Sequence, residues 1–272
     1  METEYHPIIT LTTDFGSKDP FAGIMKGVIL NINPLATIVD ITHDISPQNI
    51  IEAAFAIETS YSYFPYRAIH VVVVDPGVGS ARRPIIVATD HHYLVGPDNG
   101  VFSRVYKTSE SIEVIHVSAD HYFLPQRSST FHGRDVFAPV AAWLSKGINI
   151  SRFGDPVIDF VTLPIPGTAT PEANIIEGEV VSIDRFGNLI TNIPHKEIYE
   201  LSQRLPEGKI QCTVKGMEAP FRRYYSEAED SGLHSLVNSF GYLEFFVNRG
   251  SASADFEIAV GEKVRVVFAS SE

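Results

Sequence analysis

The sequence predicts two domains, an α/β domain with a mainly parallel sheet followed by a smaller β-rich, barrel-like one. Three observations carry this. Strand and helix signals alternate through the first half of the 272 residues. The run Ala68 to Val74 is continuously apolar up to Asp75, as suits a strand buried on both faces of a parallel sheet. Beyond Thr162–Asn174 (TLPIPGTATPEAN), a proline-rich stretch that reads as an interdomain linker, apolar and polar residues alternate at period two. The boundaries are placed at 1–165 and 172–272.

The first strand is expected at Ile8–Thr12 and ends at Thr13-Asp14-Phe15-Gly16. Asp19-Pro20 reads as an N-cap followed by proline at the first helical position. The helix over Phe21–Ile32 then places Ile24, Val28 and Ile32 on one face. Thr37–Ile41 is a strand. Ser46-Pro47 repeats the capping signal before a helix reaching Phe55. Strands follow at Ala68–Val74, Ile85–Thr89 and Tyr93–Val95, and Asp135–Ser145 is a helix with Gly147 just past its end. In the second half, Val180–Ile183, Ile210/Cys212/Val214, Tyr242–Val247 and Val264/Val266/Phe268 read as strands of a mainly antiparallel sheet.

Composition excludes several classes. Hydrophobic residues make up 44% and charged residues 20%, ordinary for a globular chain. The longest aliphatic run, Val71–Val74, is far too short to span a membrane. The acidic start Met1–Glu4 lacks the pattern of a signal peptide, and Cys212 is the only cysteine, so a cytoplasmic protein without disulfides is expected. The net charge of −12 argues against nucleic acid, whose binding needs clustered Lys and Arg.

In open α/β sheets ligands sit beyond the carboxyl ends of the strands. Asp14 and Asp75 fall there, each before a turn. Capping alone is the competing explanation for either. The segment Asp75-Pro76-Gly77-Val78-Gly79-Ser80 brings glycines and then Arg82-Arg83. It lacks the Gly-Lys-Ser/Thr ending of a phosphate loop, and a strand rather than a helix follows, so it is not a dinucleotide fingerprint. His132, in Phe131-His132-Gly133-Arg134-Asp135, precedes a helix whose N-terminus disfavours an imidazolium, leaving a neutral ring able to take a proton; Asp135 is a candidate N-cap. Asp14, Asp19, His43, Asp44, Asp75, His132 and Asp135 offer ligand atoms but no metal-binding spacing, and no metal is expected. In the second half, Asp184-Arg185-Phe186-Gly187-Asn188 reads as a hairpin turn whose aromatic and amide groups suit a flat ring, and Asn238–Glu244 is another turn between strands.

Together, the stretches LTTDFGSKDPFAGIMKG, ITHDISPQNI, VVVVDPGVGSARRP, LVGPDNGVF, TFHGRDVFAPVAA, DRFGNLITNI and NSFGYLEFFVNRG resemble the S-adenosyl-L-methionine hydrolase (adenosine-forming) family, related to the fluorinating and chlorinating enzymes that act on the same substrate. The resemblance runs through both halves of the chain. It implies water attack at the ribose C5′, no cofactor, and a homotrimer with substrate held between the first domain of one subunit and the second domain of the next. It maps a catalytic trio onto Asp75, Arg82 and His132. It places Asp14 at the ribose hydroxyls, Asn188 with Phe186 at the methionine part, and Ser239, Glu244 and Val247 at further substrate contacts, the last through backbone to adenine. The halogenating relatives carry tyrosine where Asp75 stands and serine where Gly133 stands. Both changes favour water over halide here, since a carboxylate repels an anion. Pro20-Phe21 also departs from the family's usual residues. The alternatives are a protein that binds S-adenosylmethionine or adenosine without turnover, and a halide-using relative.

Overall fold

The computed structural model describes residues 6–204 and 208–270. The acidic start Met1–Glu4 lies outside them. The chain divides into two compact units between Pro164 and Ile165. The stretch read as a linker is shared out: Leu163 donates its backbone N–H to Ser103 of the first unit, whereas Ala169 bridges to Glu177 of the second.

The first unit runs β1 (Ile8–Thr13), α1 (Phe21–Ile32), β2 (Thr37–Thr42), α2 (Ile50–Glu58), β3 (Ile69–Val73), β4 (Pro84–Thr89), β5 (Tyr93–Pro97), α3 (Ser103–Thr108), β6 (Ile112–His116) and α4 (Ala138–Ser145). Its sheet has the order β2-β1-β3-β5-β4-β6. β2, β1, β3 and β5 pair parallel, and β4 alone runs against both its neighbours. Both faces are covered. Ile69, Val71 and Val73 of β3 pack with Met25, Ile29 and α4, while Val72 and Val74 pack with α2 and α3. The chain leaves β1 for its neighbour β2 on one side, whereas it leaves β3 for β4 and β5 on the other. The β1–β3 crevice is therefore the topological switch point, where such sheets bind ligands.

Three local expectations are corrected. The buried face of α1 is Ala22, Met25 and Ile29, with Val28 and Ile32 at its margin and Ile24 exposed. Met25 and Ile29 pack in one cluster with Ala138, Ala141 and Ala142 of α4, so the side facing α4 is the one that is buried. Asp19 does not cap α1, whose N-cap position is Pro20 with no side-chain bond. Nor does Ser46 cap α2; Asn49 does, accepting from the Glu52 N–H at 3.1 Å.

The second unit runs β7 (Ile175–Ile183), β8 (Leu189–Pro194), α5 (His195–Arg204), β9 (Gly208–Val214), β10 (Met217–Ala219), β11 (Leu233–Val237), β12 (Tyr242–Val247), α6 (Ala252–Phe256) and β13 (Lys263–Ser270). The order β10-β9-β13-β7-β8-β12-β11 is antiparallel throughout. It nearly closes on itself: the Ser235 N–H of β11 donates to the carbonyl of Pro220, just past β10, at 3.0 Å, and Arg222 N–H returns a bond to Ser235. Inward residues Cys212, Val214, Val264, Val266 and Phe268 fill the interior at period two, as the alternation predicts.

At the opposite end of the first sheet from its carboxyl edge, His70 is fully buried. Its Nδ1 meets the Thr10 hydroxyl at 2.8 Å, and the rings of Phe64 and His92 stand edge-on to it. Burial, and secondarily the neighbouring His92, push its pKa from 6.5 down to about 3. The folded state then refuses a proton that the unfolded chain accepts between those values. Stability is therefore intact above pH 6.5 and falls on acidification, by about 1.4 kcal/mol per pH unit for this one group. Urea titrations from pH 7 to 4 are expected to show a shallower decline in His70→Phe. An unchanged pH slope would remove His70 as the acid-sensitive element.

Candidate active site

Two strand ends build the first half of the site. β1 pairs with β3 so that Thr13 lies opposite Val73, and Asp14 and Asp75 therefore emerge side by side at the switch point. The turn after β1 is tied to the loop after β2: the Gly16 N–H donates to the His43 carbonyl at 2.7 Å, and Thr13 Oγ1 meets His43 Nδ1 at 2.8 Å. Asp14 Oδ2 accepts from the backbone N–H of Gln48 at 2.8 Å.

The Asp75 loop folds back on itself by turns in which Val78 N–H reaches the Asp75 carbonyl and Ser80 N–H the Gly77 carbonyl. Gly79 has φ +78°, and a β-carbon there would lie 2.3 Å from the Ser129 carbonyl oxygen. Only glycine permits this approach, which lays the Asp75 loop against the loop leading to His132. The returning chain places the Arg82 guanidinium on Asp75, with Nε 2.9 Å from both carboxylate oxygens and Nη2 on Oδ2. Arg82 Nη2 also lies 2.9 Å from Nδ1 of His132. Both ion-paired side chains are nearly inaccessible, Arg82 at 9% and Asp75 at 4%.

That contact fixes the imidazole. An arginine N–H can only donate, so His132 Nδ1 must accept and the ring proton resides on Nε2. His132 is held neutral, its pKa lowered first by burial and then by the Arg82 charge, against a smaller upward pull from Asp75 and Asp135. The helix behind it begins earlier than the sequence suggests. Gly133–Phe137 forms a π-helical turn running into α4. Asp135 is not its cap. Fully buried, its carboxylate accepts from the Ser128 N–H at 2.7 Å and from Arg134, which hold it ionised against the cost of burial.

Asp14, Asp75 and His132 share a pocket of about 390 Å³, with Arg82 behind its wall. Its apolar side is a cluster of Phe15, Phe21 and Phe131, ring centroids 5.1–5.8 Å apart. Sequence reasoning singled out neither this cluster nor Gln48, which contributes through its backbone and left no residue-type signal. Among the described residues, no three His, Cys, Asp or Glu side chains are grouped to hold a metal ion.

The second unit has its own pocket, of about 860 Å³. Phe186, Asn188, Ser239, Glu244 and Val247 all line it. The β7–β8 hairpin orders the first two: Asp184 Oδ1 accepts from the N–H groups of Phe186 and Asn188, and Asn188 Nδ2 donates to Asp184 Oδ2 at 2.9 Å. Phe186 is thereby left 75% exposed over the pocket. Glu244, on β12, is buried and accepts from the Tyr225 hydroxyl at 2.7 Å and from Asn238 Nδ2 at 3.1 Å. Burial raises the Glu244 pKa despite those two donors. Tyr225 escaped the sequence reading because it lies in a loop without a motif. Asn238 was quoted only as part of a turn.

The N-terminal domain model of the SAM hydroxide adenosyltransferases matches residues 9–154, and the C-terminal domain model matches 178–265. The chain belongs to this family. Relatives of this SAM hydroxide adenosyltransferase family member include the (R)-S-adenosyl-L-methionine hydrolase of Methanocaldococcus jannaschii, 36% identical over 98% of each chain. The enzyme of that name from Thermus thermophilus is 35% identical over 94% of this chain and 97% of its own. A fluorinase from Actinoplanes is more distant, at 25% over 98% and 99%. The crystal structure of an uncharacterized conserved protein from Thermotoga maritima superposes with a TM-score of 0.87 at 34% identity, covering 96% and 99% of the two chains. In this family member, Asp75 and Gly133 line the same pocket.

Proposed function

We propose that the protein hydrolyses S-adenosyl-L-methionine to adenosine and L-methionine. The observation that carries this is the part-buried Asp75–Arg82–His132 cluster, in which one arginine clamps a carboxylate and fixes a neutral imidazole beside a pocket. Curated relatives at about 35% identity over nearly their full length bear the hydrolase name.

In the proposed reaction the oxygen of water forms a bond to the ribose C5′. The C5′–S bond breaks, its electron pair stays on sulfur, and neutral methionine leaves. One water proton must be lost. With its proton on Nε2, His132 is a donor that orients the water. Asp75 is then the group left to accept the proton: Oδ2 accepts from both Nε and Nη2 of Arg82, whereas Oδ1 accepts from Nε alone and retains a lone pair. The sulfonium needs no protonation, so catalysis lies in holding water in line with C5′, which supplies about 7–11 kcal/mol in favourable cases. A buried carboxylate opposes halide entry. A serine β-carbon at position 133 would lie 3.1 Å from the Phe131 ring and 3.2 Å from Met25 Sδ, so those side chains would have to shift by a few tenths of an ångström to admit it. Asp14, with its carboxylate at the rim, is assigned to the ribose hydroxyls.

The protein is further proposed to be a cytoplasmic homotrimer in which the pocket of one subunit's first unit faces the second-unit pocket of its neighbour, with Phe186, Asn188, Ser239, Glu244 and Val247 completing the substrate contacts. Light scattering at three chain masses supports this, and an active monomer refutes it. Asn188→Ala is expected to raise KM roughly tenfold, one hydrogen bond's worth, with kcat nearly unchanged, because that contact is equal in ground and transition states. A collapsed kcat at native KM would move Asn188 into the chemistry. The reaction itself is tested by incubating the protein with S-adenosyl-L-methionine and separating products. Adenosine and methionine in equal amounts are expected. Bound but unconverted substrate would mean a binding protein.

A further inference from the structure

Asp98-Asn99, just past β5, belongs to neither pocket's chemistry, yet both side chains are spent on the loop that carries Asp75 and Arg82. That loop leaves β3 after Val74 and returns at β4, which pairs antiparallel with β5 from Pro84 opposite Pro97. It therefore crosses the carboxyl end of β5. Asn99 Nδ2 donates to the carbonyl oxygen of Val74, the residue from which Asp75 extends, at 2.9 Å. The Asn99 Oδ1 accepts from Val101 N–H at 3.2 Å, which fixes the orientation of the amide. Asp98 takes the other end. Its backbone N–H donates to the Arg83 carbonyl at 2.9 Å, and its Oδ2 accepts from Arg83 Nε at 2.9 Å. Its Oδ1 is held by the Val161 N–H at 2.8 Å, and the Arg83 fork is completed on Asp159. The Asp98 side chain is 2% exposed.

We propose that Asp98 and Asn99 are positioning residues for the Asp75–Arg82–His132 cluster, Asn99 setting where Asp75 departs from β3 and Asp98, through Arg83, setting where Arg82 enters it. Between these two anchors the loop is shaped by its own short turns and by Gly79 against Ser129. The distance between the Asp75 carboxylate and the Arg82 fork is therefore governed from β5. A loop freed at either end lets that pair drift, and a misplacement of about 1 Å in a catalytic group costs about 10²-fold in rate.

The proposal rests on the hydrolase reading for its kinetic test. Asn99→Asp keeps the acceptor for Val101 but replaces the donor to Val74 by a carboxylate oxygen that opposes its carbonyl; Arg83→Met breaks the Asp98 pair and leaves that carboxylate without its cation, with the β5 sequence unchanged. Each is expected to lower kcat about 10–100-fold while KM and the dissociation constant for adenosine stay within about threefold. In each, the His132 imidazole followed by NMR is expected to titrate higher than in the native protein, as Arg82 withdraws from Nδ1. Folded variants with native kcat and native His132 titration would overturn the proposal, as would a loss confined to KM. Should either variant fail to fold, Arg83→Lys, which retains the charge and loses the fork, carries the same comparison. A native protein that releases no adenosine refutes the reaction alone, because the His132 titration needs no substrate.

Discussion

Asp75→Asn is expected to lower kcat by about 10²–10⁴ while leaving the protein folded. The side chain is nearly inaccessible, and both oxygens engage Arg82. The amide keeps one acceptor for the guanidinium but cannot take a proton from water, and its NH2 group opposes the arginine N–H groups. His132→Ala is expected to cost a similar factor by a different route, the loss of the donor that orients the water. The double variant is expected to lose little more than the worse single one, because water aligned for a base that is absent gains nothing. Steady-state kinetics on the three variants checks this. Multiplicative losses would separate the two residues into independent roles.

Arg82→Ala is expected to cost at least as much, because one side chain makes both contacts of the cluster. Its removal leaves the Asp75 carboxylate buried without its cation and frees His132 Nδ1. Arg82→Lys is expected to recover only part of the rate, since an ammonium on a flexible stem lacks the planar fork that holds both Asp75 oxygens and His132 in one geometry. The same geometry sets the acid limb of the pH profile. Protonating His132 would put an N–H at Nδ1 against the Arg82 donor, and burial with the Arg82 charge holds that pKa below its ordinary value. Activity is therefore expected to hold down through pH 6.5 and to fall at more acid pH. In Arg82→Ala the fall of the residual activity should begin at higher pH, because the charge that opposed protonation is gone. Rates for Arg82→Ala within about threefold of native would detach the arginine from the mechanism.

The sheet residues were legible in the sequence because burial on two faces forces an unbroken apolar run. Ala68–Val74 showed both the strand and, at its end, Asp75. The period-two runs through Cys212 and Val264 were equally plain, since one face of each fills the barrel interior. What the sequence concealed depends on pairing across distance. The α1 stripe was misread because apolar residues lie all round the helix, and the side that is buried is set by where α4 packs. Asp135 looked like a cap because aspartate before a helix usually is one, whereas here a π-helical turn carries it inward to bind the Ser128 loop. Which of Asp75 and His132 takes the proton was also beyond the sequence. The assignment proposed for them rests on the contact between Arg82 and Nδ1, fifty residues apart in the chain. Tyr225 and Asn238 bear on the second pocket through one hydrogen bond each to Glu244, and no local pattern announces such partners.

The central claim is that water attacks carbon at the end of β3 and sulfur leaves. Turnover of S-adenosyl-L-methionine in oxygen-18 water, read by mass spectrometry, tests it directly. The account predicts one label on the 5′ oxygen of adenosine and none in methionine; label in methionine, or unlabelled adenosine, would contradict it.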